Sequence, residues 1–204
     1  MDEMSDMRHR ILSEAARLFV AQGYRGLSMR EIAAACGLSK AGLYYHFRDK
    51  EELLMAVLID NLEQMDRLIA ACRRAGGSTR QVITRIVRRI FQMPQEQRAM
   101  IQTATQEMPH FSLASRQTFA RVYQEKFTGQ LAAVLEAGMA QGELRPMDAR
   151  QGAWILLGMM YPFFSPRGAD EAQATQGAVD LLLELFFNGA AGQAARTPKQ
   201  DGTI

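Results

Sequence analysis

The sequence predicts an all-α chain, and three observations carry that expectation. Apolar residues recur three and four positions apart from Ile11 to Phe186, the spacing of helices that each bury one face. Segment boundaries fall at glycines and prolines, or at Ser or Asp followed three residues later by Glu or Gln, the pattern of a capped helix start. No stretch alternates apolar and polar residues as a half-buried strand does, and no internal repeat is present.

Residues 8–21 form the first predicted helix, with Ile11, Leu12, Ala15, Ala16 and Phe19 on one side and Arg10, Glu14 and Arg17 on the other. Gly23 ends it. Ser28 then caps a second helix, Glu31 completes a capping box, and Ile32, Ala33 and Cys36 supply its apolar face. Gly37 admits the left-handed conformation in which many helices stop, and Ser39 caps a third helix from Lys40 to Phe47. A helix, a glycine corner and a second short helix fit a helix-turn-helix, whose second helix enters the DNA major groove. The first helix braces the pair, because two helices so short cannot bury a sufficient core alone.

The content of the third helix supports that reading. Lys40, Tyr44, Tyr45, His46 and Lys50 gather amines, phenols and an imidazole, opposed only by Asp49. Such groups donate to phosphates, and Lys40 has the reach for a guanine edge. Gly42 removes a side chain where the backbone approaches a duplex, while Leu43 and Phe47 point back as anchors. The candidate DNA contacts are Ser28, Arg30, Ser39, Lys40, Ala41, Gly42, Tyr44, Tyr45, His46 and Lys50. The competing reading is a surface helix whose aromatic residues cover a core.

The segment from Arg10 to Leu58, above all GLSKAGLYYHFRDKEEL between Gly37 and Leu53, resembles the N-terminal domain of the tetracycline-repressor (TetR) family of bacterial regulators. The resemblance implies an all-helical homodimer, with a three-helix DNA-binding domain over residues 1–48 and a larger ligand-binding and dimerisation domain over residues 49–187. It implies a repressor of a palindromic double-stranded operator, released by a small, largely apolar inducer that tilts the helix following Lys50. Met29 stands where members often carry Thr or Ser, and the neighbouring Ser28 supplies a hydroxyl.

Asp49 with Glu52 opens a long fourth helix, whose stripe runs Leu53, Leu54, Val57, Leu58, Leu62, Met65, Leu68, Ile69 and Cys72. Gly76-Gly77 break it, and Ser78 with Gln81 caps a fifth helix with Ile83, Ile86, Val87, Ile90 and Phe91 inside. Arg73, Arg74, Arg80, Arg85, Arg88 and Arg89 form a basic run, read as a solvated helix face in preference to a second DNA surface. Pro94 and Pro109 bound a helix over Gln95 to Glu107, and a single long helix is expected from Ser112 to Ala140. Two more follow, from Asp148 to Tyr161 and from Asp170 to Phe187. The stretch 188–204 is small, polar and glycine-containing, and reads as a disordered tail.

Methionines and aromatic residues crowd the second region, and surfaces that accommodate varied apolar ligands overuse methionine. Met65, Phe91, Met100, Thr103, Phe119, Tyr123 and Trp154 are the candidate ligand contacts, with ordinary core packing as the competing use. Leu156, Met160, Leu181, Leu182, Leu185 and Phe186 are the candidate dimer contacts, two helices per subunit making a four-helix interface. Burial within one chain is the alternative.

The whole charge excess lies at the N-terminus: residues 1–50 hold eight Lys/Arg against six Asp/Glu, and the remainder balances. That fits a local DNA-facing patch. Cys36 and Cys72 lack metal-ligand spacing and read as buried thiols of a reducing cytoplasm. No signal peptide opens the chain, and the longest apolar run, Ala153 to Phe164, is too short to span a membrane. No phosphate loop, zinc cluster or nucleophile motif appears, so a non-enzymatic protein with no cofactor is expected. A redox- or metal-responsive regulator using Cys36, Cys72, His9 or His110, or an all-helical enzyme, are the alternatives.

Overall fold

Helix starts follow the capping residues. Ser28 and Glu31 form a reciprocal capping box, as do Ser78 and Gln81, while Ser39, Asp49, Ser112 and Asp148 each accept from a backbone N–H of the following turn. A cap of this kind contributes about 1 kcal/mol by satisfying a donor the helix cannot. In this computed structural model, which describes residues 2–164 and 171–190, ten α-helices follow one another and the described residues contain no strand. They are α1 (Asp2–Gly26), α2 (Met29–Ala35), α3 (Lys40–His46), α4 (Lys50–Arg74) and α5 (Thr79–Phe91). Then come α6 (Gln95–Glu107), α7 (Leu113–Tyr123), α8 (Gly129–Ala140), α9 (Ala149–Met160) and α10 (Glu171–Ala190). None of them is long and apolar enough to cross a membrane, judged on the described residues.

Three expectations change. Helix α1 begins well before residue 8 and continues to Gly26, with a break at Gly23, whose φ of 73° no side-chain-bearing residue adopts readily. The long helix expected from Ser112 to Ala140 is divided by a π-turn at Gln124–Thr128, where the Gly129 N–H donates to Gln124 O. A Cβ on Gly129 would lie 2.6 Å from that carbonyl, so the glycine permits the bulge. Helix α10 extends to Ala190 and takes in Asn188, where a tail was expected. The predicted Asp170 cap and residues 191–204 lie outside the described residues.

Two apolar cores form, and neither matches a cut of the chain. The first gathers Ile11, Phe19, Ile32, Leu43 and Phe47 from α1–α3 with Leu53, Leu54, Val57 and Leu58 of α4, then adds Met100, Ala104 and Phe111. The second gathers Leu62, Met65, Ile69 and Cys72 of α4 with the inner faces of α5, α8, α9 and α10. Helix α4 thus serves both, and so does α6, whose Ile101 faces the second core.

Four of the six arginines of the basic run are tied down. Arg85 Nη1 donates to Cys72 O at 2.7 Å and to Gly76 O at 3.2 Å, satisfying carbonyls at the C-terminus of α4. Arg88 pairs with Asp180 at 3.0 Å, Arg73 donates to Gln130, and Arg80 lies over the Phe187 ring.

Helices α5 and α8 meet at Gly138, where a Cβ would come within 2.9 Å of Thr79 Cβ. Thr79 is buried and its N–H donates to Glu143, so it has no room to yield. Gly138→Ala is therefore expected to lower stability by about 1–3 kcal/mol despite the better helix propensity of alanine. Thermal melting of the variant checks this, and an unchanged or raised midpoint would refute the close approach.

Candidate functional site

Helix α3 stands on two buried side chains, Leu43 and Phe47, so its opposite face is fixed toward solvent. That face carries Lys40, Ala41, Tyr44 and Tyr45, with Arg30 of α2 exposed beside it. Lys40 Nζ lies 5.7 Å over the Tyr44 ring, and Tyr45, 78% exposed, meets His46 edge-on at 5.4 Å. An aromatic ring left so bare on a short, well-anchored helix has no packing purpose within the chain. Arg30 and Lys40 form no ion pair among the described residues, and Gly42 leaves only the Ser39 hydroxyl within 3.4 Å of an added Cβ. The Ser28 and Ser39 hydroxyls cap α2 and α3: Ser28 Oγ donates to Glu31 at 2.6 Å and Ser39 Oγ accepts from Gly42 N–H at 3.0 Å. Both hydroxyls are exposed, at the helix N-termini that favour phosphate.

Lys50 is placed otherwise than expected. Its ammonium turns inward, donating to Tyr24 O at 2.6 Å and Leu27 O at 2.7 Å, 4.3 Å above the Tyr24 ring. Burial pushes its pKa down, opposed by the charges of Glu107 and Glu31. With its protons committed to carbonyls, Lys50 locks α1 to α4 and is corrected from a DNA contact to a joint residue.

Around Lys50 the two cores are fastened. Tyr24 stacks on Phe111 at 5.4 Å, Arg25 Nη2 reaches the His110 ring at 3.0 Å, and Glu51 accepts from Ser112 Oγ at 2.8 Å and Ser115 Oγ at 2.6 Å. Hydrogen bonds from both serines hold the Glu51 pKa down, that from Ser115 most. None of these partners is near the other in sequence, so residue spacing carried no sign of them.

The candidate ligand residues divide. Phe119 and Tyr123 lie 5.6 Å apart, and Tyr123 meets Phe127 at 5.6 Å and Trp154 at 5.9 Å, forming one aromatic group between α7, the π-turn and α9. Burial pushes the Tyr123 hydroxyl up to about 12, with the nearby Tyr161 adding to it, so it stays a proton donor at any physiological pH. Phe119 touches both cores. Phe91 contacts Phe163 and Phe164, and Met65 is sealed in the second core. Two expectations are corrected: Met100 belongs to the first core and packs beside α1, and Thr103 back-bonds to Ala99 O at 3.2 Å within α6. Trp154, 54% exposed, stands at the rim of the aromatic group.

The expected dimer residues divide as well. Leu181 and Leu185 are exposed on α10, but Leu156, Met160, Leu182 and Phe186 are buried inside the chain and correct to core residues. Ile155, beside Trp154 on α9, is 60% exposed. Cys36 and Cys72 are buried, burial raises both thiol pKa values, and no group of three or more metal-ligating side chains forms among the described residues.

Comparison with known proteins agrees with this geometry. The family described as bacterial regulatory proteins, tetR family, matches residues 11–57, and the tetracyclin repressor-like C-terminal domain matches residues 76–186. The HTH-type transcriptional repressor KstR2 of Rhodococcus jostii (strain RHA1) is 28% identical over 144 residues, 69% of each protein. AibR, solved in complex with isovaleryl coenzyme A and operator DNA, superposes with a TM-score of 0.70 at 26% identity, over 88% of this chain and 97% of its own. PfmR of Thermus thermophilus superposes with a TM-score of 0.71 at 28% identity, over 86% and 97%. Since the C-terminal match alone spans more than half of the sequence, and α2–α3 present the DNA-facing helix pair expected beside it, the chain belongs to the TetR family of bacterial transcriptional regulators.

Proposed function

We propose that the protein is a repressor that holds a palindromic operator as a homodimer and releases it when a small, largely apolar ligand enters the aromatic group of the second core. The observation that carries the reading is the cationic and aromatic face of α3, anchored by Leu43 and Phe47 and joined through Lys50 to a helix that also lines the second core. In this reading residues 1–48 contact DNA, residues 49–187 bind ligand and partner, and the ligand is bound without being turned over. The likeness to AibR, solved in complex with isovaleryl coenzyme A and operator DNA, supports the pairing of ligand and DNA binding.

The dimer follows from exposed apolar surface. Trp154, Ile155, Leu181 and Leu185 are each more than half exposed, on adjoining helices α9 and α10. A contiguous apolar face of this kind marks an interaction site. The occupant is a second copy of the same face, related by a two-fold axis that also sets the separation of the two α3 helices. A ligand shifts such a protein only by its differential affinity for the two spacings.

Two expected outcomes test the reading. On an operator selected from random duplexes, Lys40→Ala weakens binding and lowers the salt slope by about one. Lys50→Met leaves the slope intact but destabilises the fold by about 1–3 kcal/mol, as expected for loss of charged hydrogen bonds to buried carbonyls. Titrations at several salt concentrations with parallel melts decide this; an unchanged slope and affinity in Lys40→Ala removes α3 as the reading helix. For assembly, Leu185→Glu sediments as a monomer with more than tenfold weaker operator binding, because each monomer holds one half-site. A Leu185→Glu protein that remains dimeric at micromolar concentration places the interface elsewhere.

A further inference from the structure

A cavity of about 460 Å³ opens where α1, α4 and α6 meet, apart from the aromatic group of the second core. Small-molecule sites measure about 300–1,000 Å³. Each helix turns one stripe toward it. Leu12 and Ala16 of α1 lie four positions apart, and Val57, Asn61 and Gln64 of α4 lie four and three apart. Pro94 and Gln97, at the start of α6, close the third side. The floor is apolar: Leu12 and Val57 are buried and Ala16 is half-buried.

The polar atoms around that floor are acceptors in search of donors. Asn61 is only 7% exposed, and its Nδ2 donates to Gln97 O at 3.2 Å, which fixes the orientation of the amide. Its Oδ1 has no donor among the described residues and is not sealed from solvent, so it faces the cavity. A buried acceptor left unmade costs about 1–3 kcal/mol. Asp60, one residue earlier, stands at the rim, since it also borders the open groove toward α7. One of its oxygens accepts from Gln64 Nε2 at 2.8 Å, and the carboxylate forms no ion pair among the described residues. The other carboxylate of the lining, Glu14, is already matched by Arg17 at 2.5 Å. Ser13 adds an exposed hydroxyl.

This arrangement selects among ligands by charge and by donor count. A primary ammonium brings one positive charge and three donors, and hydrogen bonds to a charged partner are roughly twice as strong as neutral ones. An anion would meet Asp60 with like charge. A neutral alcohol would leave that carboxylate unanswered.

We propose that the cavity is a binding site for a primary alkylammonium ion, its head on Asp60 and Asn61 Oδ1 and its aliphatic body over Leu12, Ala16 and Val57. The site shares no residue with the aromatic group of the second core, so it stands or falls separately from the ligand-responsive reading above. Its walls come from α1 and from the two helices that serve both cores, so a bound ion bridges the elements that join them.

The test titrates the full-length protein calorimetrically with hexylammonium chloride, sodium hexanoate and hexanol. Hexylammonium is expected to bind about tenfold or more tightly than either comparator. Asp60→Asn exchanges one oxygen for an amide nitrogen and is expected to bring hexylammonium down to the affinity of hexanol, with hexanol itself unchanged. Ala16→Leu fills the floor and is expected to weaken hexylammonium as well. Both variants are expected to melt near the wild-type temperature, because Asp60 answers no cation and Ala16 is half-exposed. Absence of hexylammonium binding at millimolar concentration marks a crevice that holds water alone and overturns the proposal. Tightest binding by hexanoate overturns it in favour of the positive N-terminus of α6. An ammonium preference that survives Asp60→Asn overturns it by placing the ion elsewhere.

Discussion

The constraint on which the rest of the molecule depends is that α4 belongs to two cores at once. Its N-terminal turns place Leu53, Leu54, Val57 and Leu58 against α1–α3, and its later turns place Leu62, Met65, Ile69 and Cys72 against α5 and α8–α10. The helix contains no glycine or proline between Lys50 and Arg74, so nothing along it bends easily. Packed interiors transmit displacement because they have few voids to absorb it. In the proposed reading, this is the route by which a shift at the second core reaches the base of α1–α3. Helix α6 makes a second connection in parallel, with Met100 and Ala104 in one core and Ile101 in the other.

Where these connections meet, the chain uses polar chemistry in place of further apolar packing. Lys50 holds two backbone carbonyls, Glu51 holds two serine hydroxyls, and Arg25 reaches His110. Hydrogen bonds demand particular distances and angles, whereas apolar surfaces tolerate sliding. A joint built this way fixes one arrangement of the two cores. Glu107, which ends α6 beside this joint, keeps one carboxylate oxygen sealed without a hydrogen bond. Its charge acts on both Lys50 and Tyr24, so any movement of α6 changes the electrostatics of the joint directly.

Charge is sorted by purpose over the molecule. Three arginines of α5 act as structural cations: Arg85 satisfies helix-end carbonyls, Arg88 bridges to α10 and Arg80 covers the Phe187 ring. Among the described residues Arg30 and Lys40 have no acidic partner on the α2–α3 face, which leaves them available to an anion outside the chain. Surface ion pairs add little stability, so the distribution of charge here is a matter of recognition more than of folding.

Local chemistry alone determined the helix starts, the glycine corner at Gly37 and the anchoring of α3 by Leu43 and Phe47, because caps, turns and short-range periodicity act within a few residues. The same signals were silent on phase wherever a helix is apolar all round. In Trp154-Ile155-Leu156-Leu157 no periodicity distinguishes inside from outside, and only the packing of α9 against α8 and α10 put Leu156 inside and Ile155 outside. Lys50 was misread for a related reason: a lysine beside a DNA-facing helix is cationic wherever it points, and its direction depends on carbonyls at Tyr24 and Leu27, more than twenty residues away. Met100 went to the first core because α6 crosses α1, a contact between segments some eighty positions apart.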